Sequence, residues 1–486
     1  MKKNVLLLLL LIMFTACNEK LEIKNHIDKH PSIYPDYVGV TIPVTIAPLN
    51  FTMDDDSVES LDVVAKGTDG SVIHERGKNI VFSPKEWSKL LKTSKGNSIT
   101  VTVCALKGGE WTQYKDFSIF ISNYPIDYGL VYRLIAPGYE VYSKMGIYQR
   151  ELSSYKQTAL YENTLVTGTC VNCHSFAKNN PDLSSLHVRG KNGATIINVN
   201  GKSEFLNTKT DEMINSFVYP YWHPSEKYIA YSLNKTRQAF HVIKDEQIEV
   251  FDMVSDIVVY KIDTKEVLMS KLLTTSAFET YPCFSVDGKT LFFCTSDEKK
   301  IPEEYKDIKY SLCSIAFDPE KGTFGDRVDT LISAKLTNKS VSFPRPSYDG
   351  KYILYNLADY GNFPVHHKES DLWLLSLADK STRRLDELNS NFAESYHSWS
   401  SNSHWMVFAS RRDGGLYARL YIASIDDKGK VGKPFLLPQK KPLKYYDESV
   451  YAYNVAEFVS SPVKWDKSEI EGGLTSEERT QVKVRN

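Results

Sequence analysis

Four segments of the chain repeat one pattern, and this repeat decides the fold. Each segment reads as an aromatic residue, a proline or polar residue, further aromatic, serine or proline positions, and then a turn and a strand. The segments are Tyr219–Ser232 (YPYWHPSEKYIAYS), Tyr281–Thr295 (YPCFSVDGKTLFFCT), Phe343–Asn356 (FPRPSYDGKYILYN) and Tyr396–Ser410 (YHSWSSNSHWMVFAS). Two of them contain Asp-Gly-Lys, at 287–289 and 349–351, where glycine supplies the positive φ of a tight turn. Each segment therefore predicts a β-hairpin.

A second strand-rich segment follows each of these hairpins. The strands predicted there are Asp256–Ile262, Tyr310–Phe317, Asp371–Leu377 and Leu420–Ile425. Two hairpins make the four-stranded blade of a β-propeller. The copies start 62, 62 and 53 residues apart, a period much longer than that of helical repeats. With Ala194–Asn207 and Val450–Pro462 completing one more blade, the sequence predicts a propeller of five or six blades over residues 190–464.

The region before the repeats also has the pattern of β structure. Alternating apolar and polar residues occur in runs separated by Gly, Asp, Asn and Lys, namely Val38–Pro43, Ser60–Ala65, Ser98–Ala105 and Asp116–Ser122. These runs predict a β-sandwich over 38–123, and the whole chain is expected to be all-β. Residues 124–189 are interpreted as a connecting segment, and 465–486 as a polar tail.

The first residues have the three parts of an export signal. Lys2 and Lys3 precede the apolar run Val5–Phe14, which is too short to span a bilayer and ends in small residues before Cys17. We therefore predict a lipoprotein signal peptide at 1–16, lipidation of Cys17 and a polar tether at 17–37. The alternative is plain secretion with an incidental cysteine. Either way the chain is placed in the cell envelope, and lipidation would anchor it to a membrane facing the periplasm or the cell surface.

The connecting segment contains a motif with specific chemistry. Residues Cys170, Val171, Asn172, Cys173 and His174 form CxxCH, in which two thiols add to the haem vinyl groups and the histidine ligates iron. The spacing predicts both thiols and the ligand on one short turn, holding one covalent haem c. A zinc site is a less favoured interpretation of the motif, because no second Cys pair or His-x₃₋₅-His follows to complete four ligands. A redox or structural disulfide is also left open, although no thioredoxin-like pattern surrounds the motif.

The sixth ligand of such a haem is expected to be a second histidine. His187 follows His174 by 13 residues in a predicted polar loop and is preferred because it is close in sequence. His241, just after the first hairpin, is the alternative. His366 and His367 are interpreted instead as part of a solvated blade loop.

The repeats resemble the blades of TolB-type propellers, whose hairpins carry an aromatic-Pro-x-aromatic-Ser-x-Asp-Gly-Lys motif. The resemblance covers about 190–462. The second and third copies match well, whereas Ser225-Glu226 and Asn402-Ser403 replace Asp-Gly in the first and the fourth. Together with Cys170–Phe176, the repeats are similar to a family of TolB-like propeller lipoproteins that carry a single CxxCH. This resemblance implies the fold and the haem but no firm activity.

Composition and the absence of several motifs exclude some classes of function. The chain has 59 Lys and Arg against 60 Asp and Glu, so no general positive field favours nucleic acid. It contains no GxSxG nucleophile motif, P-loop or GxGxxG. We therefore expect a non-enzymatic role in electron transfer or redox sensing, with an envelope protein partner at a propeller face. A propeller binding module for an envelope protein or glycan, and a subunit of a haem enzyme, stay open as alternatives.

Overall fold

The computed structural model describes residues 21–136, 144–240 and 248–485. Strands dominate these residues, and the prediction of a β-rich chain with a propeller-like arrangement is confirmed. The predicted signal peptide, the lipidation site Cys17 and the alternative haem ligand His241 lie outside the described residues. Among the helices that the structure describes, none has both the length and the apolar character needed to cross a bilayer.

The first described part of the chain contains ten strands in two sheets. They are β1 (Ile23–Ile27), β2 (Ile33–Tyr34), β3 (Thr41–Ile42), β4 (Phe51–Met53), β5 (Ser60–Lys66), β6 (Val72–Gly77), β7 (Asn79–Ile80), β8 (Ser98–Lys107), β9 (Glu110–Tyr114) and β10 (Phe117–Ile121). The larger sheet has the order β1-β9-β8-β10-β3, with β5 pairing to both β8 and β6, and β2-β4-β7 form the smaller one. Side chains from both sheets, such as Phe51, Leu61 and Val101, belong to one apolar core.

Two features of this part differ from the sequence prediction. Helix α1 (Pro84–Thr93) was not predicted, although Trp87, Leu90 and Leu91 have the spacing of one helical face and are all buried. The segment interpreted as a tether is also ordered from residue 21 onward, because β1 pairs in parallel with β9 and Tyr37 is buried. Backbone pairing at the exposed edge of β9 thus fixes a polar segment that has no apolar face of its own.

Strands β11 to β34 divide into six groups of four paired strands, called sheets I to VI. Sheet I contains β11 (Gly129–Ile135), β12 (Gly146–Glu151), β13 (Gln157–Glu162) and β34 (Ala452–Val459); sheet II contains β14 (Thr169–Ala177), β15 (Asn180–Gly190), β16 (Ala194–Val199) and β17 (Lys202–Asn207); sheet III contains β18 (Phe217–Trp222), β19 (Tyr228–Phe240), β20 (Ile248–Lys261) and β21 (Glu266–Leu268). Sheet IV contains β22 (Phe278–Phe284), β23 (Thr290–Ser296), β24 (Ser311–Asp318) and β25 (Thr323–Ile332); sheet V contains β26 (Ser340–Pro346), β27 (Tyr352–Ala358), β28 (Asp371–Ser376) and β29 (Thr382–Arg384); sheet VI contains β30 (Glu394–Trp399), β31 (Trp405–Ser410), β32 (Arg419–Ser424) and β33 (Phe435–Leu436). A single parallel bridge links sheets III and IV.

The six sheets are arranged in a cycle around their innermost strands. Each innermost strand contacts the next, from β14 through β18, β22, β26 and β30 to β34, and β34 contacts β14. Sheet I is built from both ends of this region, because the C-terminal β34 pairs with β11. The sheets therefore begin at Gly129 rather than at 190, and the predicted connecting segment supplies strands to sheets I and II.

The C-terminal residues are also part of the fold rather than a free polar tail. Helix α4 (Lys467–Thr475) buries Ile470 and Leu474, and β35 (Thr480–Gln481) and β36 (Lys483–Val484) pair with the outer strands of sheets II and III. The other short helices are Ala334–Thr337 (α2), Pro442–Glu448 (α3) and the 3₁₀ turn Tyr305–Asp307. Outer strands leave backbone groups unpaired, and the C-terminal segment satisfies some of them.

The innermost strands share one irregularity. In each of them a β-bulge shifts the pairing register near the middle of the strand. Five of the bulges contain a residue with positive φ, namely Tyr219 (51°), Tyr281 (53°), Phe343 (53°), Tyr396 (43°) and Val455 (49°). The aromatic residue that opens each sequence repeat is therefore the bulge residue of an innermost strand.

We predict that the pairing of β34 in sheet I is essential for stability. Phe458 is fully buried (0% exposed), so Phe458→Ala should lower the free energy of unfolding by about 3–5 kcal/mol. Val450, outside the strand and 57% exposed, is the control, and Val450→Ala should change it by less than about 0.5 kcal/mol. Urea unfolding followed by tryptophan fluorescence measures both. Equal stability of the two variants would contradict the role of β34.

Candidate functional site

The CxxCH motif lies in an extended strand, which corrects the prediction of a short turn. It occupies β14, where Cys170 pairs with Arg189, Cys173 with His187 and His174 with Leu186 of β15. The β-bulge between Val171 and Cys173 is the one found in the other innermost strands. Backbone pairing with β15 therefore determines the conformation of the motif.

The bulge makes the motif equivalent to the sequence repeats. By register, residues 172–174 occupy the positions of 219–221 in β18 and 281–283 in β22. Cys173 thus takes the place of the repeated proline, and His174 that of the following variable residue. Aligning CVNCH with the repeats would have revealed this, but the motif lacks the aromatic residue and the proline that make the repeat recognisable.

The two thiols border different spaces. The Cys170 sulfur lies 3.4 Å from the Met145 sulfur and lines a cavity of about 340 Å³ at one end of the ring of innermost strands. Cys173, which is 5% exposed, lines a cavity of about 30 Å³ together with His174. Tyr219 lies on both cavities. Both cysteines are free thiols, and burial raises the pKa of Cys173.

His174 is a buried imidazole without a hydrogen-bond partner. It is 2% exposed, and neither ring nitrogen makes a hydrogen bond of normal geometry to a described residue. Burial lowers its pKa to about 3, and Arg133 adds to this effect while the nearby Val131 carbonyl opposes it. The ring is therefore neutral at physiological pH, with a lone pair available. Buried polar atoms are usually satisfied, so this imidazole is chemically able to accept a further partner.

The structure does not bring His187 to this imidazole, and the other predicted sixth ligand, His241, lies outside the described residues. His187 lies in β15 rather than in a polar loop, and its Nδ1 is 3.0 Å from the Thr195 hydroxyl oxygen. It lines a separate cavity that contains neither Cys170 nor His174, and burial lowers its pKa to about 3. His241 lies outside the described residues, but Phe240 and Ile248, which flank that segment, line the cavity of Cys170.

Sequence reasoning missed the residues that surround Cys170. The cavity of about 340 Å³ is lined by Arg133, Arg189, Arg411 and His366 as well as by apolar side chains. His366 and His367 are buried, so their interpretation as a solvated loop was wrong. Arg411 Nη2 lies 3.1 Å from His366 Nε2, and His367 Nε2 lies 3.1 Å from each Glu249 carboxylate oxygen. These residues come from different sheets and loops, so no local pattern in the sequence marks them.

The side chains of Cys170, Cys173 and His174 are the chemical groups that hold a covalent haem. The extended backbone of β14, however, does not place the two thiols close enough together to reach one haem. Two free thiols followed by a neutral histidine are the groups that attach and ligate haem c. On a helical turn, residues three apart have their Cβ atoms about 5–6 Å apart. A strand advances about 3.3 Å per residue, so three residues span roughly 10 Å before the bulge is considered. β14 thereby directs the two thiols to two cavities. Within the described residues there is also no group of three or more His, Cys, Asp or Glu that would hold a metal ion such as zinc.

Comparisons with known proteins add only distant likenesses. No family model and no curated protein matches the sequence. Among solved structures, a prolyl endopeptidase is 12% identical with a TM-score of 0.35, over 64% of this chain and 42% of that one, so this chain spans less than half of its length. An oligogalacturonate lyase in complex with manganese is 12% identical (TM-score 0.36; 63% and 74% covered). The Pseudomonas aeruginosa periplasmic gluconolactonase is 11% identical (TM-score 0.29; 62% and 81% covered).

Buried neutral histidines around the innermost strands should make the protein sensitive to acid. Burial lowers the pKa of His397 to about 3, whereas an unfolded histidine titrates near 6.5. As the pH falls below about 6.5, only the unfolded state takes up this proton, and the loss of stability from pH 7 to pH 5 is about 2 kcal/mol. His397→Gln should remove that part of the loss, measured by urea unfolding at both pH values. His26→Gln, on an exposed residue of β1, controls for the loss of one histidine. An unchanged pH dependence in His397→Gln would contradict the prediction.

Proposed function

We propose that the chain is an exported, membrane-anchored lipoprotein with a six-bladed TolB-like propeller that carries one haem c. Cys170 and Cys173 would hold the haem through thioether bonds, and His174 would ligate its iron. The haem supplies a reversible change of iron oxidation state, and the propeller supplies the surface on which an envelope protein partner docks. The role is electron transfer or redox sensing.

His174 is the observation that carries this proposal. Its imidazole is neutral and buried, makes no hydrogen bond of normal geometry to a described residue, and directly follows a free thiol. Leaving a buried polar group unsatisfied costs about 1–3 kcal/mol, and metal ligation offsets that cost. None of the other innermost strands has a histidine at the position equivalent to His174, where Tyr221, Cys283, Arg345, Ser398 and Glu457 lie.

The proposal includes a rearrangement of β14. For both thiols to reach one haem, residues 170–173 must leave the extended conformation and form a turn. The bulge at this point already interrupts pairing with β15, which lowers the cost of the change. From Ser175 onward the strand keeps its pairing, and Glu457 accepts a hydrogen bond from the Phe176 amide at 3.0 Å.

The finer description of the fold rests on three observations. Six innermost strands carry the same bulge, each contacts the next, and β34 pairs with β11 across the ends of the region. These observations favour six blades closed by a shared first blade. The two sheets of the first part share one apolar core, which favours the predicted sandwich.

Covalent haem attachment tests the proposal directly. Protein expressed with a c-type maturation system should show a covalent haem stain and a sharp reduced α-band. Cys170→Ala combined with Cys173→Ala should abolish the stain, because no thioether bond can form. The control Cys313→Ala removes another buried free thiol, in β24, and should stain normally. A colourless wild-type protein that is folded and exported would overturn the haem proposal.

The same preparation tests the sixth ligand. His187→Ala and His241→Ala are compared by absorption spectroscopy, and loss of a six-coordinate low-spin spectrum identifies the ligand. If His187 is the ligand, it must give up its contact with Thr195, so Thr195→Ala should leave the low-spin spectrum intact. A low-spin spectrum in both histidine variants would exclude both predicted ligands.

The anchor is tested through Cys17. Cys17→Ser should move the protein from the membrane fraction to the soluble fraction of the envelope, because it removes the acceptor for lipid. Cys104→Ser, at a buried cysteine of β8, is the control and should remain with the membrane. A wild-type protein in the soluble fraction would instead support plain secretion.

A binding module without redox function is the second candidate. A cavity of about 50 Å³ is lined by aromatic side chains, including Tyr221, Trp222 and Trp399, together with Arg345 and Glu457. Arg345 stacks over the Tyr221 ring at 5.4 Å, and burial raises the pKa of Glu457 to about 7. Such a surface suits a glycan or an envelope protein segment. If this candidate is correct, partner binding survives loss of the haem.

A further inference from the structure

The cavity of about 50 Å³ that contains Trp222 and Trp399, called here the aromatic cavity, receives lining residues from all six sheets. Along β34, Asn454 lines the cavity of Cys170, whereas Glu457 lines the aromatic cavity. A strand advances about 3.3 Å per residue, so the two positions are roughly 10 Å apart along β34. The cavity of Cys170, and not the aromatic cavity, contains lining residues that flank undescribed parts of the chain, namely Ala136, Phe240 and Ile248.

Arg345 of β26 presents its guanidinium to the aromatic cavity. The guanidinium carbon lies 5.4 Å from the centroid of the Tyr221 ring, and the Arg345 main-chain carbonyl accepts a hydrogen bond from Trp399 Nε1 at 2.9 Å. Among the described residues, none makes a hydrogen bond or an ion pair of normal geometry with the guanidinium itself. A guanidinium has five N–H donors in a planar fork that matches a carboxylate. The donors of Arg345 are therefore available to a ligand.

Two further polar groups of the lining are also unmatched. Trp222 is 5% exposed and Ser398 is 8% exposed. Neither Trp222 Nε1 nor Ser398 Oγ makes a hydrogen bond to a described residue, although buried polar atoms are usually satisfied. The indole N–H, like the guanidinium, can only donate. An excess of unmatched donors favours a ligand that accepts hydrogen bonds, such as an anion.

The charges of the lining also favour an anion. Its basic residues are Arg345 and Lys178, and its acidic residue is Glu457. Lys178 is exposed and forms no ion pair with a described residue. Burial raises the pKa of Glu457 to about 7, so its carboxyl carries only part of a negative charge at neutral pH. The described lining is therefore positive overall, and Glu457 disfavours a dianion more than a monoanion.

The volume limits the size of the ligand. About 50 Å³ is far below the range of about 300–1,000 Å³ typical of pockets for drug-sized molecules, so the aromatic cavity encloses only a few heavy atoms. A whole sugar ring or a peptide segment is too large to be enclosed. The aromatic side chains of Tyr221, Phe284 and Trp399 make the surroundings of Arg345 partly apolar, and a charge-assisted hydrogen bond is stronger there than in water.

We propose that the aromatic cavity binds a short-chain carboxylate, such as acetate or propanoate, through the Arg345 guanidinium. The short alkyl chain packs against the surrounding aromatic side chains, and Trp222 Nε1 and Ser398 Oγ are the further donors of the lining. The proposal rests on the second candidate function, because it names the ligand class of the same cavity. It does not depend on haem attachment at Cys170 and Cys173.

Isothermal titration calorimetry of the full-length wild-type protein with propanoate tests the proposal. We expect saturable binding of propanoate, and propanamide, which has nearly the same shape but no charge, should bind at least tenfold more weakly. Arg345→Gln should weaken propanoate binding at least tenfold, because it removes the charge and the planar fork. Arg237→Gln, at an exposed arginine of β19 outside the cavity lining, is the matched control and should weaken it less than twofold. Circular dichroism confirms that each variant is folded.

A conservative variant keeps the test informative if Arg345→Gln does not fold. Arg345→Lys retains the positive charge but lacks the planar fork, so it should weaken propanoate binding by less than the loss of the charge does and by more than the Arg237→Gln control. Propanoate binding that is the same in Arg345→Lys and in Arg237→Gln would contradict recognition by the guanidinium.

Each remaining outcome decides one claim. No saturable binding of propanoate to the folded wild type, or equal affinities for propanoate and propanamide, overturns the proposal. Tighter binding of inorganic phosphate than of propanoate overturns the carboxylate class. Binding of glucuronate without binding of propanoate supports the glycan form of the second candidate and overturns the short-chain ligand. Covalent haem with no propanoate binding rejects this proposal alone, and propanoate binding by a protein that acquires no haem rejects the haem proposal alone.

Discussion

The pairing of β34 with β11 is the interaction on which the rest of the structure depends. It joins residues more than 300 positions apart, as in the pairs Gly129 with Val459 and Leu134 with Tyr453. The rings of Tyr132 and Tyr453 contact at this junction, with centroids 4.9 Å apart. Without this sheet, neither Arg133 of β11 nor Glu457 of β34 would lie beside the CxxCH strand. The site therefore exists only when both ends of the region are in place.

Burial among the innermost strands has opposite effects on acids and bases. It lowers the pKa of His174 and His397 to about 3 and raises that of Glu457 to about 7 and of Asp252 to about 6. All four shifts have desolvation as their largest cause, because a low-dielectric environment disfavours the charged form whatever its sign. Arginine keeps its charge under the same conditions. Arg411 illustrates this, because burial lowers its pKa only to about 10.

The sequence predicts those parts of the fold whose signals are local. The Asp-Gly-Lys turns are realised with φ of 72° at Gly288 and 71° at Gly350, and the hairpins around them form as expected. Strands β11 to β13 carry no aromatic-proline motif, and their partner β34 is remote in sequence, so they were interpreted as a connection. Helix α1 was missed although Trp87, Leu90 and Leu91 give its spacing.

The candidate site was likewise predictable from the sequence only where its signal is local. The types of residue in CxxCH are a local signal for haem chemistry, but their conformation depends on register with β15, which no local pattern shows. His187 is near His174 in sequence, yet the alternation of side chains along a strand separates it from the space that His174 faces. The cavity beside Cys170 collects single residues from several strands and loops. Only the closed arrangement of sheets brings them together.

If haem is attached as proposed, the strand and the haem-attached turn are alternative conformations of the same four residues, and their free energies can be compared. Leaving the strand costs the backbone hydrogen bonds at 170–173, each worth about 0.5–1.5 kcal/mol net. The bulge means that fewer of them exist here than in a regular strand. Staying in the strand leaves His174 buried and unsatisfied, at about 1–3 kcal/mol. These terms are of similar size, so under the proposal two covalent bonds to haem would be sufficient to favour the turn. Under this proposal the first half of β14 is the part of the innermost strands that would change conformation on haem attachment.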